Sequence, residues 1–149
     1  MKIKKYSIII VVILLIFTIL TQIQRKNTME EKIGIKKEDK VMKVIINNIE
    51  YNIYFEDNET SKEFINLMPI DLKMNELNGN EKYVYLDKKL PSNPTNVKKI
   101  NAGDIMLYQD NCLVIFYKSF DTTYAYTKIG HIDKLPQLNT DSISVKFKK

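Results

Sequence analysis

The 149-residue chain has no Trp, one Cys, one His and one Arg, with only four Gly and four Pro. A lone thiol at Cys112 excludes an internal disulfide framework. One Cys and one His are too few soft ligands for a structural zinc site. The scarcity of Gly and Pro excludes collagen-like and Pro/Gly low-complexity sequence. No Gly-x-Ser-x-Gly elbow accompanies Ser119, His131, Asp121 and Asp133, so a hydrolase triad has no local support. The single Arg, Arg25, stands outside every strand-like run.

The net charge of +5 would suggest a polyanion, but it is unevenly placed. Residues 1–40 carry nine basic and four acidic groups, whereas residues 41–149 carry fourteen of each. The larger part is neutral and has no overall attraction to nucleic acid. The excess belongs to the head of the chain. Lys2, Lys4 and Lys5 precede an uncharged run from Tyr6 to Gln24. As a helix, residues 6–23 would span roughly 27 Å, close to the ~30 Å of a bilayer core. Residues 1–24 therefore read as a transmembrane signal anchor. A cleaved signal peptide is the rival, although no small residues mark a cleavage site at Thr18, Leu20, Gln22 or Gln24. The charged stretch 25–40 reads as a linker. A short basic tip before an apolar run places residues 41–149 on the extracytoplasmic side of a cell membrane.

Residues 41–149 alternate apolar and polar side chains, the signature of strands. Ile49, Tyr51, Ile53 and Phe55 form one such row and Ile70, Leu72 and Met74 another. Asn47-Asn48, Asn78-Gly79 and Gln109-Asp110-Asn111 read as turns. Cys112 to Tyr117 is a dense apolar run, Tyr124 to Ile132 a further strand, and Ile143, Val145 and Phe147 the last. The spacing of Thr60 and Glu63 predicts a capping box opening one helix, with Phe64, Leu67 and Met68 on its apolar face and Pro69 at its end. About eight strands and one helix predict a mainly β domain, a small closed barrel or sandwich. Leu90 to Pro94 reads as a surface loop.

Ile100 to Tyr108, Asn111 to Phe120 and Thr123 to Thr127, with Leu77 to Tyr83 and Leu90-Pro91 upstream, resemble the small bacterial cyclophilin-like domain family. The resemblance covers residues 42–148. It implies a closed cyclophilin-like β-barrel of about eight strands capped by a helix. It does not imply prolyl isomerase activity. The chain departs from the pattern with Lys128 and His131 where Arg is usual, and with Gln109 where Gly is usual. A guanidinium fork is thereby replaced by a point charge.

Prolyl isomerisation needs fixed donors that stabilise the twisted amide. Residues 41–149 contain no Arg, and the Phe-x-x-Gln-Gly-Gly and Ser-Gln-Phe-Phe segments of catalytic cyclophilins are missing. No catalytic residue, cofactor or metal is expected. Eight of nine Tyr and five of six Phe lie beyond residue 40. Phe116, Tyr117, Lys118, Phe120, Tyr124, Tyr126 and His131 are the candidate lining of a groove for a peptide or small ligand. The alternative reading of the same residues is core for Phe116 and a structural corner for Phe120. The expected function is a membrane-tethered binding module. A peptidyl-prolyl isomerase with an atypical site is the alternative.

Overall fold

A computed structural model describes residues 15–24 and 41–149. The expected basic tip with the start of the apolar run (1–14), and the expected linker (25–40), lie outside the described residues. The chain divides between residues 39 and 40, and the two parts are taken separately. In the first, residues 15–24 form a helix, α1, with Leu15, Ile16, Phe17, Ile19, Leu20 and Ile23 exposed. Among the described residues no helix is long and apolar enough to cross a membrane.

The second part is a β-barrel. Its strands are β1 (Met42–Ile46), β2 (Ile49–Phe55), β3 (Ile70–Leu77), β4 (Glu81–Tyr85), β5 (Thr95–Asn96), β6 (Lys99–Ile100), β7 (Asp104–Tyr108), β8 (Cys112–Phe116), β9 (Phe120–Asp121), β10 (Ala125–Ile132) and β11 (Ser142–Lys148). Neighbours run β2-β1-β11-β3-β4-β8-β7-β10, and β10 returns to pair with β2. Eight strands thus close the sheet and remove its exposed edges. β5 adds to β10, and β6 with β9 makes a separate two-stranded ribbon.

The turns follow local chemistry. Asn47 and Asn48 join β1 to β2 at φ 48° and 67°, and Asn78 and Gly79 join β3 to β4 at 57° and 69°. These left-handed conformations are ones that Asn and Gly tolerate. Gln109, at φ 57°, holds the same conformation between β7 and β8.

Alternation then fills the barrel. Val44, Ile46, Ile53, Met74, Leu113, Ile115, Ile105, Leu107, Val145 and Phe147 pack inside. β10 keeps its inward row by a bulge between Lys128 and Gly130. Ile129 within it and Ile132 after it both reach the core; a strand without the extra residue would turn one of them outward.

In residues 41–149 one short helix was expected and one is described. That helix, α2 (Glu59–Asn66), is capped differently from the expected Thr60–Glu63 box. The cap is Asn58, whose side chain accepts from the Ser61 amide at 2.8 Å. Thr60 and Ser61 instead donate to the carbonyls of Pro91 and Ile129, tying α2 to the barrel. With the cap two residues earlier the Ser61 amide is satisfied in place of that of Glu63, and the two hydroxyls are left for tertiary bonds. Phe64 enters the core and meets Phe147 edge-on at 4.9 Å. The expected surface loop, 90–94, is exposed from Pro91 onward, but Leu90 is buried in the same core.

Candidate functional site

β8 is buried on both sides because a second apolar layer covers its outer face. Ile100, Met106, Cys112, Val114, Phe116 and Tyr126 form that layer, with Tyr83, Val97 and Phe120 against it. It lies on the outside of β4, β8, β7 and β10. Register explains its rows. Tyr83 stands opposite Val114, and Tyr85 opposite Cys112; Cys112 in turn faces Tyr108. Alternation therefore puts Glu81, Tyr83 and Tyr85 on one outward face of β4.

The cover is incomplete and leaves a groove of about 700 Å³. Val114, Cys112 and Tyr126 form its floor, and Tyr83 with Tyr85 and Tyr108 with Tyr124 rise along it. The rings meet as tilted or edge-to-face pairs. Tyr83 lies 5.9 Å from Tyr85, and Tyr108 lies 6.3 Å from Tyr124 and 5.7 Å from Tyr126. Phe120 to Thr123 form one flank, and Leu77, Asn78, Asn80 and Glu81 bring the β3–β4 turn to the groove. Tyr85 and Tyr124 are more than 60% exposed, so the aromatic walls stand in solvent.

The electrostatics separate two acids on the same hairpin. Lys82 points into the barrel, where its side chain is fully buried. It pairs with Glu76 and donates to the Thr140 carbonyl. The Tyr117 hydroxyl also donates to Glu76, at 2.9 Å, and the Gly79 amide to its other oxygen at 2.7 Å. Burial alone would raise the Glu76 carboxyl, but these donors outweigh it and hold it below its ordinary value. Glu81, one residue before Lys82, points outward and is 7% exposed. Burial raises its carboxyl, opposed by a hydrogen bond from Asn78 and reinforced by the charge of Glu76. Burial, with Glu81 adding to it, pushes the Cys112 thiol up to about 11 and the Tyr126 hydroxyl up to about 12. Burial therefore favours the thiol form of Cys112.

The seven expected groove residues part company here. Phe120, Tyr124 and Tyr126 line the groove. Phe116 is fully buried in the outer layer, 5.7 Å from Phe120 and 5.5 Å from Tyr126. Tyr117 is buried in the barrel core, because one step along a strand reverses the side chain. Lys118 is exposed, with its ammonium 5.6 Å from the centre of the Tyr117 ring. His131 is held by Asp104 instead, Nδ1 to Oδ1 at 3.1 Å. Beside it Gly103 sits at φ 99°, where a Cβ would lie 2.3 Å from the Ile132 carbonyl oxygen and 2.7 Å from His131. Ser119 Oγ accepts from the Ala102 amide, so Ser119 and His131 serve different local bonds.

Sequence reasoning missed Glu81, Tyr83, Tyr85 and Tyr108. An acid at every-second spacing from two Tyr was the available signal. A second hollow, of about 470 Å³, lies between the start of α2 and residues 91–95. Its polar groups are largely spent on one another: Thr60 on Pro91, Asn93 on Thr127 and Asn58 on Lys128. Among the described residues no cluster of His, Cys, Asp and Glu has the arrangement of a metal site.

Comparison with curated proteins and with solved structures gives no match. The family profile described as Cyclophilin-like family matches residues 44–148, which is the barrel from the third residue of β1 to the end of β11. The chain belongs to the cyclophilin-like family.

Proposed function

We propose that residues 41–149 are a binding module whose peptide or small ligand occupies the outer groove, and that they do so without catalysis. The observation that carries this reading is the uncovered groove itself, with five Tyr rings along it. A volume of several hundred Å³ with apolar walls and few polar tips is usual for a ligand site. Exposed aromatic surface of this kind marks a place where a partner binds. We further propose that the apolar segment 6–23 tethers the module to a cell membrane, on the extracytoplasmic side. The exposed apolar side chains of α1 support the tether.

The absence of catalysis rests on donors. Peptide-bond rotation has a barrier of about 18–20 kcal/mol, and lowering it requires donors fixed where the amide loses conjugation. Among the described residues lining the groove, the side-chain donors are Asn, Thr, Cys and Tyr, with no Arg, Lys or His. A protease-coupled assay on a Pro-containing peptide tests this. The full chain is expected to leave the cis–trans rate at its uncatalysed value. A rate gain proportional to protein concentration, lost in Tyr124→Phe, would establish the isomerase instead.

A further inference from the structure

The lining of the groove is one-sided in charge. Glu81 and Asp121 are its ionisable acids, and no Lys, Arg or His joins them. The nearest cation in sequence, Lys82, is committed to Glu76 on the other side of the sheet. Among the described residues no basic side chain pairs with Glu81, which is more than nine-tenths buried and has a hydrogen bond from the neutral Asn78 side chain. A second acceptor belongs to the residue before Glu81. Asn80 also lines the groove, and its Oδ1 is buried with no hydrogen-bond partner. Buried acceptors without donors are rare in folded proteins, because each forfeits its bonds to water. Five Tyr rings complete the lining, and aromatic faces attract cations.

We propose that the groove selects a peptide through a positively charged side chain, Lys or Arg, whose stem lies along the Tyr rings and whose head meets Glu81 and Asn80. This names the ligand class for the binding reading above and rests on it. An ammonium or guanidinium group carries several N–H donors and no acceptor. It therefore satisfies both acceptors, while its methylene stem covers apolar ring surface. An acidic side chain would face Glu81 and Asp121 with like charge. A neutral aliphatic one would bury Glu81 further with no counter-charge, which is costly.

The test uses the full chain in a neutral detergent and three fluorescein-labelled pentapeptides, identical except for Lys, norleucine or Glu at the centre. Anisotropy is expected to rank Lys above norleucine by about tenfold or more, and norleucine above Glu. Glu81→Gln is expected to abolish the Lys preference by weakening the Lys peptide and strengthening the norleucine peptide, since Gln keeps the volume and removes the charge that norleucine leaves unpaired. The ranking of the three peptides on the parent protein needs no variant, so a poorly folded Glu81→Gln would not protect the proposal. Equal affinities for Lys and norleucine, or a Lys preference retained in a folded Glu81→Gln, would overturn the cation while the binding reading stands. No binding of any peptide would remove both.

Discussion

At the scale of single residues, Glu81 and Lys82 show how one peptide step decides environment. Alternation sends Lys82 inward to Glu76 and Glu81 outward to the groove. Lys82 is fully buried and Glu76, at 27% side-chain exposure, keeps its bonds from Tyr117 and Gly79 when the ammonium is removed. Lys82→Ala should therefore cost about 1.5–3 kcal/mol in urea unfolding, the range of a hydrogen bond to a charged group. Lys146→Ala, which loses only the half-exposed contact with Asp71, should stay within about 0.5 kcal/mol. Equal midpoints for the two variants would refute the buried pair. The two acids also differ in sign against pH. The Glu76 carboxyl is lowered from 4.5, so its contribution is present above that value and fades as pH falls through its lower folded value. The Glu81 carboxyl is raised from 4.5, so ionising it weakens the fold above its folded value and costs nothing where both states are protonated. Glu81→Gln should consequently raise the unfolding midpoint at pH 7 and lose that advantage as pH drops below the ordinary carboxyl range. A lower midpoint for Glu81→Gln at pH 7 would contradict the assignment. A Lys within a strand ordinarily reads as solvent-facing, so the burial of Lys82 was not legible in the sequence.

At the scale of elements, α2 is held by its first turn. Asn58 caps the Ser61 amide and its Nδ2 donates to the Lys128 carbonyl at 2.9 Å. Asn58→Ala should cost about 1–2 kcal/mol, the upper part of the range for a cap, read as a lower thermal midpoint; an unchanged midpoint would return the cap to Thr60. The hairpins were legible because left-handed turns depend on the residues in them, Asn47-Asn48 and Asn78-Gly79. The inward and outward faces of β8 were not legible. Leu113 to Tyr117 is apolar throughout, since the barrel core covers one face and the outer layer the other. Nothing in such a run says that Phe116 belongs outside and Tyr117 inside. Phe116→Ala should cost about 3–5 kcal/mol, and the partly exposed Phe120→Ala visibly less. The reverse order in chemical denaturation would mean that Phe120, not Phe116, anchors the outer layer.

At the scale of the whole molecule, strand number and class were legible, because turns and alternation repeat along the chain. Closure was legible only through the family resemblance, because alternation alone left barrel and sandwich open and the β2–β10 pairing joins Phe55 to Gly130, far apart in sequence. The groove was legible only in part. Its walls come from β4, β7 and the segment 120–126, and the aromatic density near Phe116 to Tyr126 disclosed only the last of them. The tether makes its own prediction. Full-length protein should sediment with membranes, and residues 41–149 alone should remain soluble and folded, as judged by fractionation and circular dichroism. Full-length protein in the soluble fraction with Met1 retained would contradict it. The central claim, that the outer groove is where this molecule meets its ligand, is tested most directly by chemical-shift mapping. The full chain in neutral detergent is titrated with the Lys-centred and norleucine-centred pentapeptides. Shifts should concentrate in Glu81–Tyr85, Tyr108–Val114 and Phe120–Tyr126. Shifts centred instead on Asn58–Thr60, Pro91–Thr95 and Lys128, or no shifts at all, would contradict the account.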